Sequence, residues 1–332
     1  MDNYLAETKQ PSYRRFQLWE GLYKQLWTSS DYFTNLPRDF RKKLDDLFSF
    51  TSLDLVKTIK SNDGNTIKFL YYTPDASPIE TVLMRYNRRN SLCLSTQSGC
   101  VLKCSFCATG QMGFFRDLSA GEIVEQVIHG AIYLKQQEER LTNIIFMGMG
   151  EPLLNLDSTL KAVEILNHGD GFNMGERRFT LSTVGIVPGI YQLCQENKQL
   201  NLAVSLHAAN NELRSLLMPI NNKYPLETLI KACREYMRFT HRRLTFEWAL
   251  IDGVNDTPDD AHQLADLVHG LLCHINLIPL NPTQLYPKKA SNRPKIDAFH
   301  QIIRSSGLPC TIRVRRGIDI QAGCGQLAAS MK

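Results

Sequence analysis

From residue 91 onward, strand-like runs alternate with helical runs six times, and that rhythm leaves few folds open. Leu92–Thr96, Thr142–Met147, Phe179–Thr183, Leu202–Leu206, the alternating Leu244, Phe246 and Trp248, and Ile275–Leu280 read as strands. A helix opens at Ser119 with Glu122 three residues on, the spacing of a capping box. Further helices are predicted from about Asp157 to Asn167, near Ile190, from Pro225 to Phe239, from Thr257-Pro258-Asp259-Asp260 to Gly270, and from Pro294 to Gly307. Thr311–Val314 is a candidate extra strand. Repeated strand–helix units imply a parallel sheet with crossover helices. Six units fall short of the eight in a closed barrel. The expected fold is therefore α/β, a partial, open (βα)6 barrel, with a doubly wound sheet as the alternative.

Residues 1–90 have a different texture. Phe16, Trp19, Leu22, Tyr23, Leu26 and Trp27 recur at helical spacing over 13–27, and Pro37 opens a second helix to Leu47. Asn62-Asp63-Gly64-Asn65 turns a hairpin between Leu55–Lys60 and Thr66–Tyr72, and Glu80–Tyr86 is a third strand. The division predicted is a helical module with a β extension over 1–90, an accessory unit, and a core over 91–332. The net charge is +5, carried partly in clusters such as Arg14-Arg15, Arg41-Lys42-Lys43, Arg88-Arg89 and Arg313/Arg315/Arg316, which fit a polyanionic partner or a solvated surface equally well. No apolar run approaches the ~18 residues of a membrane span, and no secretory leader is visible, so a cytoplasmic protein is expected.

Three of the nine cysteines, Cys100, Cys104 and Cys107, share one short loop after the first strand, spaced C-x3-C-x2-C. Structural zinc usually takes four ligands, often as two separated pairs, and no second close pair is present. A 4Fe-4S cluster takes one cysteine per iron, so three would leave one iron open to a small molecule. Zinc and inert thiols remain the competing readings. In barrels of this kind chemistry gathers at the C-terminal ends of strands. The other strand exits carry Met147-Gly148-Met149-Gly150-Glu151-Pro152, Ser182-Thr183, Ser205-Leu206-His207 and Asn281-Pro282. One site assembled from several loops accounts for this. On residue chemistry alone Cys324 reads as an ordinary tail thiol and Glu80 as a surface charge on an edge strand.

The three-cysteine loop resembles that of the radical S-adenosylmethionine (SAM) superfamily. Gln97-Ser98-Gly99-Cys100, Phe106-Cys107-Ala108-Thr109-Gly110, Met147–Pro152, Ser205-Leu206-His207, Pro219-Ile220-Asn221 and Gly317–Leu327 are similar to the RlmN/Cfr family of RNA adenine methyltransferases. The likeness runs from about Tyr13 to Leu327, and Glu151-Pro152-Leu153-Leu154-Asn155 together with Arg316-Gly317 favours the RlmN branch. Gly323 stands where the family usually has alanine, a change expected to loosen the tail, and Ile318 is equally at home in the Cfr branch.

The resemblance implies a 4Fe-4S cluster on Cys100, Cys104 and Cys107, with SAM contacting Gly150, Glu151, Ser182, Ser205, Leu206, His207 and Asn281. It implies Cys324 as the methyl-carrying cysteine, Cys93 as the second functional cysteine and Glu80 as the proton acceptor. Two SAM molecules would be consumed per methylation, one to methylate Cys324 and one to yield a 5′-deoxyadenosyl radical. Attack by Cys93 on the sulfur of Cys324 would then release the base and leave a disulfide. The implied substrates are adenine C2 in 23S rRNA and in tRNA, with an electron donor such as flavodoxin or ferredoxin and a monomeric enzyme. A Cfr-type C8 methyltransferase and a non-catalytic metal-binding RNA module are the alternatives.

Overall fold

The computed structural model describes residues 2–328 except Asn197; the last residues of the 91–332 unit lie outside the described range. β1 (Asp54–Lys60), β2 (Thr66–Tyr72), β3 (Pro78–Tyr86) and β4 (Arg89–Cys93) pair antiparallel in sequence. A two-stranded ribbon of β5 (Gln97–Gly99) and β6 (Phe114–Asp117) brackets the three-cysteine loop. β7 (Asn143–Phe146), β8 (Phe179–Thr183), β9 (Asn201–Ser205), β10 (Leu244–Leu250), β11 (Cys273–Pro279) and β12 (Cys310–Ile312) then add to β4 in parallel.

The ten-stranded sheet runs β1-β2-β3-β4-β7-β8-β9-β10-β11-β12, in chain order without reversal. A doubly wound sheet reverses its order at a switch point. Its absence here decides for the open barrel. Crossover helices such as Ala120–Lys135, Leu156–Asn167, Leu226–Thr240, Pro258–Leu267 and Arg293–Ser305 cover the parallel strands. Ser119 and Glu122 form the expected capping box, each side chain bonding the other's backbone N–H. Phe246, Trp248 and Leu244 join the main core, so the alternate residues of β10 face the opposite side of the sheet.

The β extension is hydrogen-bonded into the barrel sheet. Val82 of β3 pairs with Cys93 of β4. β3 is therefore interior and not an edge, and Glu80 is 1% exposed; the reading of Glu80 as a surface charge is corrected. The N-terminal helices keep a small core of Leu5, Leu18, Phe33, Leu36, Phe40 and Leu44. The segment that joins them to β1 docks on the first crossover helix, where the Glu125 carboxylate accepts from the backbone N–H groups of Ser52 and Leu53 and from the Ser52 hydroxyl.

The predicted helix over 13–27 is shorter. An α-helix spans Arg14–Glu20, a π turn Gly21–Gln25 follows, and Leu26 ends it with a left-handed φ of 64°. Gly21 is the reason: a Cβ there would stand 2.2 Å from the Phe33 ring, so the helix yields to that ring. Short helices at Ala108–Met112 and Asn211–Leu217 were not predicted; both are under two turns, too brief for a periodic signal.

Candidate active site

The C-terminal ends of the strands enclose a cavity lined by Cys104, Cys107, Gly150, Glu151, Ser182, Ser205, His207, Glu247, Asn281 and Cys324, among others. A smaller cavity, lined by Cys93, Cys107, Arg313 and Cys324, adjoins it. Cys107 and Cys324 belong to both. The geometry thus brings together most of the predicted site residues, while Cys100 and Glu80 line neither cavity. Leu206 is the exception among the SAM-assigned set, since its side chain is fully buried in the main core and only its backbone is placed near the site.

Burial pushes the Cys100 thiol up to about 12, opposed by the Leu102 N–H. It raises Cys104 well above the ordinary value, with Cys107, Cys100 and Glu151 adding to the effect and Arg214 opposing it. Cys107 is raised by burial against N–H groups of Gly110 and Thr109. These thiols become thiolates when a metal centre supplies positive charge. Among the described residues, no three His, Cys, Asp or Glu side chains converge closely enough for one metal ion. Three cysteines suit a cluster that takes one cysteine per iron better than a structural zinc, which takes four ligands.

The SAM-assigned residues fit a bound ammonium and nucleoside. Glu151 is 2% exposed, and burial raises its carboxyl to about 7 against N–H groups of Val184 and Leu153 and the Thr183 hydroxyl. No salt bridge to Glu151 is present among the described residues, so an arriving ammonium would be its counter-charge and would favour its ionised form. Gly150 has φ 96°, and a Cβ there would lie 2.5 Å from the Gln97 Cβ, so only glycine lets Gln97 Oε1 accept the Glu151 N–H at 2.8 Å. Asn281 is 4% exposed and its Oδ1 is buried without a partner among the described residues, an acceptor open to a donor.

His207 has φ 59° and is 5% exposed. Its Nδ1 accepts the Ala249 N–H at 2.9 Å, which leaves any proton on Nε2. Burial and the Arg214 charge lower its pKa to about 3, so it is a neutral ring. Asn255, just past β10, fixes its backbone by donating to the carbonyls of His207 and Ala249.

Two functional candidates escaped the sequence reading. Glu247 lines the main cavity and accepts from the Ser182 hydroxyl at 3.0 Å. It sits out of phase with Leu244, Phe246 and Trp248, and that is the signal that could have found it. Arg214 is 0% exposed and has no carboxylate partner among the described residues. Its guanidinium donates to the carbonyls of Val184, Ser205 and Leu206 and to Asn221 Oδ1. Leu217, on the same short helix, accepts the Ser105 N–H at 2.9 Å, so the cysteine loop, the β8 exit and the β9 exit share one anchor.

The tail after β12 folds back across this site. Ala108 N–H donates to Gly325 O, and Thr109 Oγ1 donates to Leu327 O at 2.6 Å. Asn281 Nδ2 donates to Cys324 O at 3.2 Å. Lys68 Nζ lies 2.8 Å from Glu80 Oε1, and Ala328 N–H donates to Glu80 Oε2 at 3.0 Å. Glu80 precedes Val82 and Met84 on the same face of β3, and those two line the smaller cavity. A Cβ on Gly323 would stand 2.6 Å from Asn281 Nδ2 and 2.7 Å from Gln326 Oε1. The glycine therefore permits a close approach of Asn281 and Gln326 to the tail.

Cys93 and Cys324 face the same small cavity. Burial lifts Cys93 to about 12, with Cys324 adding to the rise and Arg313 opposing it. Cys324 first, and then Glu247 against the cost of burial, raise the Arg313 guanidinium above its ordinary value, and Arg313 lines the smaller cavity with both thiols. Every described cysteine is a free thiol.

The Radical SAM superfamily model matches residues 94–268. A protein of Caldanaerobacter subterraneus named probable dual-specificity RNA methyltransferase RlmN is 43% identical over 98% of this chain and 94% of its own length. One of the same name from Geobacillus kaustophilus is 46% identical over 99% and 90%. The ribosomal RNA large subunit methyltransferase N of Nitrosopumilus maritimus is 44% identical over 98% and 95%. The crystal structure of a radical SAM methyltransferase from Sphaerobacter thermophilus matches with a TM-score of 0.97 at 48% identity, covering 99% of this chain and 96% of that one.

Proposed function

This chain belongs to the radical SAM superfamily and, within it, to the RlmN-type RNA methyltransferases, and on that premise we propose that it methylates C2 of adenine in 23S rRNA and in tRNA. The observation that carries the proposal is the shared cavity of Cys93 and Cys324 beside Cys107 and Asn281. Two thiols at one site allow one to carry a methyl group and the other to discharge it.

Cys100, Cys104 and Cys107 would hold the 4Fe-4S cluster, and SAM would lie along Gly150, Glu151, Ser182, Ser205, His207 and Asn281, with Leu206 offering backbone only. Bound together, these groups supply a reducing electron and hydrogen abstraction, which ordinary side chains cannot. The chain's own residues do the rest. Glu151 and Asn281 orient SAM by its ammonium and a nucleoside donor. Cys324 delivers the methyl carbon to an adenine C2 too electron-poor to attack SAM itself. Cys93, having given up its thiol proton, then attacks the Cys324 sulfur; the S–S bond forms as the sulfur–carbon bond to the base breaks, and the carbon keeps that electron pair and takes up a proton to become the methyl group. The resulting disulfide requires a two-electron reductant. Glu80 is proposed to accept the C2 proton, after the Ala328 segment that now occupies its carboxylate moves aside.

Nucleoside mass spectrometry of rRNA and tRNA from a host lacking and then expressing this chain tests the proposal. 2-Methyladenosine that depends on the chain is expected. 8-Methyladenosine would favour the Cfr-type reading, and unmodified RNA would overturn both.

A further inference from the structure

Just after β11 the chain makes a tight turn whose tip is two residues long. Thr283 and Tyr286 exchange backbone hydrogen bonds of 3.2 Å in both directions, leaving Gln284 and Leu285 at the tip. The turn is pinned to the cysteine loop. The Gln111 amide and the Thr283 hydroxyl bond each other at 3.1 and 3.2 Å, and Gln111 Nε2 also donates to Ser105 O at 2.7 Å. Leu285 is 74% exposed, more than any other large apolar side chain among the described residues. A fixed turn thus holds a bare apolar side chain in solvent, next to Asn281-Pro282 of the cavity.

Under this tip lies a further hollow of about 240 Å³, beside the Cys324 loop. Gln111, Met112, Gln284, Gln321 and Gln326 line it, and no charged side chain does. Gln326 is bonded within the protein, to Pro282 O and the Gly323 N–H. Gln284 and Gln321 are exposed, and their amides make no hydrogen bond within the described residues. A neutral wall of free amides with apolar Met112 and Leu285 suits the edge and face of a nucleobase, not a phosphate.

An adenine inside a stacked RNA cannot reach Cys324, so it must leave its stack. Proteins that open stacks often insert a leucine or methionine into the step they open. Resting on the RNA-methyltransferase reading above, we infer that Leu285 is a wedge. It fills the gap left when the target adenine turns toward Cys324, while Gln284 and Gln321 bond the polar edge of a flanking base.

The test uses cluster-loaded full-length enzyme and a folded RNA hairpin carrying 2-aminopurine at the target position, whose fluorescence rises on unstacking. Wild type is expected to raise the fluorescence on binding. Leu285→Ala is expected to lose most of that rise and to lower kcat/KM on the unlabelled hairpin about tenfold, which is ~1.4 kcal/mol of barrier. Leu285→Met, which keeps an apolar wedge, stays within about twofold of wild type. On an RNA whose target adenine is already bulged out, the Leu285→Ala penalty shrinks to about twofold. A full fluorescence rise with Leu285→Ala, or an equal penalty on both RNAs, overturns the wedge. Failure of the underlying reading is separate, since wild type would then form no methyladenosine on either RNA.

Discussion

The side chain of Asn281 joins two parts of the site: its Nδ2 donates to the Cys324 carbonyl at 3.2 Å, while its Oδ1 is buried without a partner in the cavity wall. A buried acceptor left unmade costs about 1–3 kcal/mol, so a ligand that donates to Oδ1 recovers that cost. The same amide then couples cavity filling to the position of the Cys324 loop. Gly323 makes the contact possible by leaving room where a Cβ would collide.

Asn281→Ala should therefore do two things at once. SAM affinity, read by isothermal titration calorimetry, should fall about tenfold, the worth of one hydrogen bond of ~1.4 kcal/mol. Alkylation of Cys324 by iodoacetamide, read by peptide mass spectrometry, should quicken as its loop loses the tie. Unchanged alkylation would separate the two functions.

Arg214 should tolerate no replacement well. Its five-donor fork bonds four acceptors from three segments. Arg214→Met leaves those acceptors buried and is expected to lower stability by about 3 kcal/mol or more. Arg214→Lys keeps a charge but not the fork, and should weaken SAM binding even where thermal melting shows a folded protein.

The Glu151 carboxyl gives a pH test. Its folded value, about 7, lies above the ordinary 4.5. The folded chain then binds more protons than the unfolded chain between those values. Its contribution to stability is complete below about pH 4.5 and is lost as pH rises to about 7. An ammonium beside it favours the ionised form, so SAM binding releases a proton. SAM affinity should rise from about pH 6 to about pH 8, and Glu151→Gln should flatten that rise.

Lys68 and Glu80 are 4% and 1% exposed and hold the tail through Gln321 O and Ala328 N–H. Lys68→Met removes the buried cation 2.8 Å from the Glu80 carboxylate, at an expected cost of about 3 kcal/mol. Thermal melting should show the loss, and limited proteolysis should cut within 317–328 sooner. An unchanged melting temperature would mean that Glu80 is satisfied without Lys68.

Much of this was legible in the chain. The strand–helix period specified the parallel sheet, because each buried strand is a short apolar run and each crossover helix carries a stripe. The strand exits pointed to Glu151, His207 and Asn281 because polar residues there have no packing role. Glu80 was misjudged because its strand looked like an edge, and only pairing with β2 on one side and β4 on the other buries it. Arg214 left no local signal: a buried arginine bonded to carbonyls from 8, 9 and 30 residues away reads as an ordinary charged residue in a short helix. Glu247 was readable in principle, as the charged residue opposite an apolar alternation. The tail's return to β2 and β3 spans some 250 residues of chain, and no spacing records such a contact.

The central claim is that Cys324 carries the methyl carbon to the base and Cys93 releases it. Cys93→Ala enzyme, loaded with cluster and turned over on RNA, should give a protein–RNA band on a denaturing gel. Peptide mass spectrometry should place the adduct on Cys324, and the band should be absent from the Cys93→Ala, Cys324→Ala double variant. Free multiple turnover by Cys93→Ala, with no adduct at Cys324, would contradict the account.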